Sequence, residues 1–230
     1  MKMPLLLLVI ALAGGAIAGL IFYLPAKAPP IPPANRDSSV VDEKGLKTKA
    51  EAGDADAQYR LAKFYTESKG GPNYKEAARL LEQSAGKSNA EAMALLGELY
   101  AAGQGVHRDL TQAFELYQSS ATTGCVAGQY NLGFCYAKGV GVAKDQTQAA
   151  KWYQLAAEGG DPIAQFDLGQ RYELGLGVKV DKIEAFKWLT LAVNGGQSDA
   201  ATELAALKAK LDSKEIAEGR DRIKAFAIRK

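Results

Sequence analysis

Ser84 stands three residues before Lys87, a spacing that can pair a nucleophile with a base for acyl transfer. Such a site also needs Ser-Asp-Asn and Lys-Thr-Gly, and neither tripeptide occurs in the chain. His107 is the only histidine, so a triad, a His-based zinc site and a His general base would all rest on one residue in a turn. Cys125 and Cys135 are the only cysteines. Ten residues of helix separate their Cα atoms by about 15 Å, whereas a disulfide needs about 4.4–6.8 Å. An internal bridge is therefore excluded if that helix forms. Cys125 falls at a helix start, where a thiolate is favoured; Cys135 takes the register of Phe64 and Leu99 and reads as packing. Gly-x-Gly recurs, but no Gly-Lys-Ser/Thr follows it and no strand precedes it, so these glycines read as turns rather than a phosphate cradle. No catalytic set, metal site or cofactor is expected.

The elements that would have to position such groups show a strict period instead. Leu96-Gly97, Leu132-Gly133 and Leu168-Gly169 recur every 36 residues. The same offset relates Gly103, Gly139 and Gly175; Gly105, Gly141 and Gly177; Val106, Val142 and Val178; and Asp109, Asp145 and Asp181. A period of roughly 20–50 residues marks a solenoid whose units bury their faces only against neighbours. The fold class is therefore all-α, a right-handed α/α solenoid of about four helical hairpins plus capping helices.

In the third unit a first helix runs from about Ala127 to Lys138, Gly139 fits a left-handed cap, and Gly141 lets the backbone turn again. Asp145 caps the second helix, and Gln148 is placed to complete a capping box. Asp109 with Gln112, Asp181 with Glu184 and Asn73 with Glu76 repeat that signal. Asp54, Asn89, Cys125 and Asp161 take the N-cap slot of the first helices, and Trp152 and Trp188 sit on a repeated core face of the second. The units span about 54–88, 89–124, 125–160 and 161–196. The first departs from the pattern at Gly70-Gly71-Pro72, with one residue fewer between its helices. Val40 to Ala52 form a capping helix. Residues 197–230 form a C-terminal cap, in which Asp212 and Glu215 open a last helix bearing Ile216, Ile223 and Phe226.

These residues resemble the Sel-one-like repeat family, relatives of the tetratricopeptide repeats. The fourth unit carries the motif most fully, as Gln165-Phe166-Asp167-Leu168-Gly169, Tyr172, Gly175-Leu176-Gly177-Val178, Asp181, Ala185 and Trp188. The resemblance covers residues 54–211. It implies an adaptor that assembles complexes, and several bacterial members are exported. Some cysteine-rich members are similar to penicillin-binding or β-lactam-hydrolysing proteins; they place a Cys pair in every unit, whereas this chain has two cysteines in all.

Lys2 and the free amine precede an uncharged, apolar run from Pro4 to Leu24. About 20 such residues cover about 30 Å, the hydrocarbon thickness of a bilayer. Residues 1–24 thus read as a signal anchor, a separate transmembrane helix with its N-terminus inside. A cleaved signal peptide is the alternative, since Ala26-Lys27-Ala28 has the form of a cleavage site, although Pro29 would hinder the cut. Residues 25–38 form a Pro-rich linker, and 39–230 the solenoid. In a bacterium this arrangement expects a single-pass protein of the cytoplasmic membrane with its C-terminal domain in the periplasm, or a periplasmic or secreted domain after cleavage. Lys2, Lys27 and Arg36 against Asp37 account for the whole formal charge of +2, so residues 39–230 are neutral. Neutrality argues against nucleic acid as a partner.

Positions shared between units serve the stack; first-helix positions that vary are free to serve a partner. Three or four residues apart, these are Arg60, Lys63 and Glu67; Leu95, Glu98 and Ala102; Asn131, Phe134 and Lys138; and Asp167, Gln170 and Leu174. The candidate partner-binding set is Arg60, Lys63, Leu95, Glu98, Asn131, Phe134, Lys138, Asp167 and Gln170, a polar groove with an aromatic near its centre. The expected function is a non-catalytic scaffold for a protein or peptide, with no small-molecule substrate. The alternatives are a β-lactam or cell-wall peptide hydrolase and a homo-oligomerising structural element.

Overall fold

The computed structural model describes residues 43–68 and 71–228. The expected membrane segment, the linker, the start of the capping helix at Val40 and the turn glycine Gly70 lie outside the described residues. The described residues hold eleven helices and no strand. After α1 (Glu43–Glu51), the first helices of the four units are α2 (Ala55–Glu67), α4 (Ala90–Ala102), α6 (Val126–Lys138) and α8 (Pro162–Leu174). The second helices are α3 (Tyr74–Ala85), α5 (Leu110–Thr122), α7 (Gln146–Glu158) and α9 (Lys182–Asn194), followed by α10 (Ser198–Lys208) and α11 (Ser213–Ile228). Each first helix packs on its own second helix and on the helix before it, so chain order is packing order.

Helix starts follow the cap residues. Asp54, Asn89 and Asp161 accept the N–H three residues on, whereas Cys125 fills its slot with no side-chain bond. Asp109, Asp145 and Asp181 each accept two N–H groups at the start of a second helix. The expected return bond of the capping box is replaced by another contact. The cap residue's own N–H reaches the carbonyl of a tyrosine near the end of the preceding first helix: Asn73 to Tyr65 at 2.9 Å, Asp109 to Tyr100 at 3.0 Å, Asp145 to Tyr136 at 2.9 Å and Asp181 to Tyr172 at 3.0 Å. Carbonyls in a helix's last turn have no partner within it, and the folded-back turn brings one to the cap. A main-chain clamp therefore sets the angle between the two helices. The reciprocal box forms at Asp212 and Glu215, with both bonds at 2.8 Å.

Successive turns dock through the second glycine. Gly141 (φ +69) and Gly177 (φ +78) lie where a Cβ would come within 2.1 Å of the Leu110 carbonyl oxygen and 1.9 Å of that of Gln146. Only glycine allows the backbone of one unit this close to the second helix of the last. Behind the turns, Leu81, Leu132, Leu168 and Leu189 are fully buried. Trp188 is buried and Trp152 half-buried, both within the core.

The C-terminal helix lays Ile216 and Ile223 on the apolar core at the end of the stack. α11 packs chiefly on α9, and these two side chains lie against the cluster that also holds Leu204 and Leu207 of α10. Leu204 and Leu207 of α10 are buried, and Ala201, Ala205 and Ala206 are left exposed, with little area for another helix to cover. α9 offers more: Phe226 meets Trp188 edge-on at 5.3 Å, and Arg222 pairs with Asp181 at 3.0 Å and Glu184 at 2.9 Å.

Candidate functional site

The residues with chemical potential are spent on structure. Ser84 is fully buried, and its Oγ donates to the Ala55 carbonyl at 2.6 Å; Ser120 does the same to Ala90 at 2.7 Å. Each is a strut from the end of a second helix to the start of its first helix, so Ser84 is not presented as a nucleophile. Lys87 Nζ bonds the Gly53 carbonyl. His107 is exposed in its turn. Both cysteines are free, and burial pushes the Cys135 thiol up to about 12. Among the described residues no group of three His, Cys, Asp or Glu side chains could hold a metal ion, and no helix is long and apolar enough to cross a membrane.

The varying first-helix positions form a row in which neighbours pair across units. Asn131 Nδ2 donates to Glu98 Oε1 at 3.1 Å. Glu98 is open to solvent, yet the protein flanking it strips enough water to raise its carboxyl; Asn131 and the charge of Lys63 pull it back down. One step along, burial raises Asp167 to about 6 against the opposing pull of Arg171, of the hydrogen bond from Tyr130 and of Lys138. Gln170 Nε2 reaches Glu203 of α10 at 2.7 Å. Phe134 lies half-buried between the core around Leu132 and that around Leu168. Two members stand apart. Arg60 pairs along its own helix with Asp56 at 3.7 Å, and Leu95 packs half-buried on the core of the first units. The row thus gathers carboxylates, amides, lysines and an aromatic, with one carboxylate raised to about 6.

Sequence reasoning missed Arg171, Tyr130 and Glu203. Arg171 sits in the register of Phe64, Leu99 and Cys135, and it is buried. Its Nη1 bonds Gln146 Oε1 at 2.9 Å and the Leu176 carbonyl at 3.1 Å, joining two successive turns, and it lies 4.8 Å from the Tyr153 ring. The available signal was polarity: a cation at a position that is apolar in the other three units.

Hairpins clamped through main chain, with a variable polar row along their first helices, define an α/α repeat solenoid. The Sel1 repeat model matches residues 55–89, 90–124, 126–161 and 162–197, more than half of the chain, and the protein belongs to the Sel1 repeat family. Among solved structures it is similar to a protective antigen of uropathogenic Escherichia coli displaying an SLR fold, with 31% identity and a TM-score of 0.73 over 80% of this chain. The chain spans 40% of that antigen's length. A Sel1 repeat protein from Oxalobacter formigenes is 30% identical, with a TM-score of 0.67 over 80% of this chain and 78% of that one. A Klebsiella pneumoniae Sel1 repeat protein, at 22% identity and TM-score 0.51, shares the fold. No curated protein matches. Sel1 repeat proteins are generally scaffolds for protein–protein interaction, and most are non-catalytic.

Proposed function

We propose that the protein is a non-catalytic scaffold that holds a protein or peptide along its first-helix row, displayed on the outer side of the cytoplasmic membrane by residues 1–24. The observation that carries this reading is the convergence of varying positions: Glu98 with Asn131, and Asp167 with Tyr130, on either side of Phe134. A fold that needs only its turns and cores gains nothing from a different residue at each of these places. A bound chain does, because a half-buried aromatic ringed by polar groups makes a hot spot. Tethering at a membrane would raise the effective concentration of such a partner.

The test is a photocrosslinking amino acid at position 131 of the full chain in living cells. It is followed by fractionation, protease treatment of cells with a permeabilised outer layer, and mass spectrometry. A defined adduct in the membrane fraction, protease-accessible and lost in Phe134→Ala/Lys138→Glu while the helical signal is retained, is the expected result. An adduct that survives the double substitution would put the partner on another surface; one confined to a protease-shielded soluble fraction would remove the membrane placement.

A further inference from the structure

We propose that the turn joining α8 to α9 is a lipid-docking tip, whose Leu174, Leu176 and Val180 enter the headgroup boundary of a bilayer. These side chains are 65%, 41% and 59% exposed. Leu155 is the one other large apolar residue left exposed among the described residues, so the solvated apolar surface is gathered on this turn. Such gathering marks an interaction site, whereas scattered apolar residues mark nothing. The frame does not require it. The second and third units carry Ala102 and Lys138 in the register of Leu174, and Arg108 and Lys144 in that of Val180. Their turns dock by the same glycine, Gly105 on Tyr74 and Gly141 on Leu110. In the third unit the residue matching Leu176 is Val140, and it is buried.

The shape and setting of the tip select its occupant. Side chains this exposed have no protein wall beside them to grip a peptide strand. Together they offer a few hundred Å2, short of the roughly 800 Å2 per partner of a stable pair, which disfavours a second copy of the chain. A bilayer needs neither walls nor a large area, because it takes apolar side chains about 5–10 Å deep from a projecting element. The charges suit that depth. Glu173 is paired with Lys210 at 2.8 Å, Asp181 with Arg222 at 3.0 Å, and Glu184 with Lys187 and Arg222 at 2.9 Å, which ties the acids back to α9, α11 and the end of α10. Lys179 and Lys182 are exposed, lie outside these pairs and carry stems long enough to reach lipid phosphate while the tip goes deeper. The inference rests on the proposed anchor for the encounter alone: with residues 1–24 in a bilayer, residues 25–42 hold the start of α1 within about 60 Å of it.

Leu174→Trp and, in the same register of the second unit, Ala102→Trp are each placed in the full-length chain. The chains are synthesised cell-free into phosphatidylcholine–phosphatidylglycerol vesicles with or without brominated acyl chains, and the emission of the unaltered chain is subtracted. The indole at 174 is quenched about twofold, as insertion to acyl depth requires, and the one at 102 is not quenched. Adding Leu176→Ser and Val180→Ser to Leu174→Trp removes the quenching and leaves the helical signal intact, since both positions are exposed. An alkaline wash reads the anchor separately. Chain stripped by the wash but quenched beforehand keeps the tip and loses the anchor; chain retained but unquenched at 174 keeps the anchor and loses the tip. The proposal is overturned by an unquenched 174, by equal quenching at 102, or by quenching that survives Leu176→Ser with Val180→Ser. A blue shift at 174 without quenching that grows with the protein-to-lipid ratio also overturns it, and gives the turn to a second copy.

Discussion

The unit built on α2 and α3 and the unit built on α8 and α9 share a frame and differ in what it carries. Both start on an aspartate cap and clamp cap to tyrosine carbonyl, Asn73 to Tyr65 and Asp181 to Tyr172; both tie a buried glutamine to the preceding helix. On that frame the first unit places Arg60, Phe64 and Leu80 where the fourth places Asp167, Arg171 and Trp188. The turns differ too: a Cβ at Gly71 meets nothing within 4 Å, whereas one at Gly177 strikes the Gln146 carbonyl. Main-chain bonds set the stack, and side chains off those bonds can diverge from unit to unit. Position in the stack decides which glycines are wedged.

The largest effect should come from breaking that wedge. Gly177→Ala would force a turn off the backbone of α7 and strain a left-handed residue, costing about 3 kcal/mol or more. Gly71→Ala meets only the unfavourable φ of +108, worth about 1–2 kcal/mol. Urea unfolding of the two variants gives the comparison. Equal losses would mean that turn docking contributes nothing particular to the fourth unit.

A second, smaller effect lies in the charge pair. Arg171→Phe borrows Phe64 from the first unit and removes a cation that holds Asp167 down. The folded Asp167 carboxyl, at about 6, already sits above its unfolded value of about 3.9. Its contribution to stability is therefore complete below about pH 4 and is lost as pH rises through about 6. Without Arg171 the carboxyl rises further and the loss deepens. The bonds from Arg171 to Gln146 and Leu176 are lost at every pH, so the variant should be less stable throughout, and by about 1–2 kcal/mol more at pH 8 than near pH 4. A loss wholly independent of pH would trace to those bonds and to the stacking of Arg171 on Tyr153, with no part played by Asp167.

What the sequence revealed, and what it hid, follows the reach of each interaction. Turn glycines, N-caps and the core tryptophans answer to residues within a few positions or to the repeat itself, and their periodicity exposed them. The bond from Asp145 to the Tyr136 carbonyl was hidden because main-chain acceptors leave no trace in residue type. Arg222 reaches back to Asp181 across 41 residues, and nothing local told α11 to lie on α9. The candidate row was legible as a set of positions. Its pairings were not, because variation between units shows freedom from the frame, and Glu98 and Asn131 are free of the frame while bonded to each other.

That bond sets the smallest prediction. Glu98 is exposed and Asn131 half-buried, so a double-mutant cycle of Glu98→Ala and Asn131→Ala should return a coupling of about 0.5 kcal/mol. Asn131→Ala alone should move the Glu98 titration upward in carbon-detected NMR, since the lost hydrogen bond favours the ionised carboxylate. A weak coupling leaves both groups cheap to recruit, because a partner need only replace one solvent-accessible bond to engage a carboxylate already short of water. A coupling above about 1.5 kcal/mol would instead make the pair a strut between α4 and α6. The row would then be structural there, and the proposed binding face would shrink to the stretch from Phe134 to Gln170.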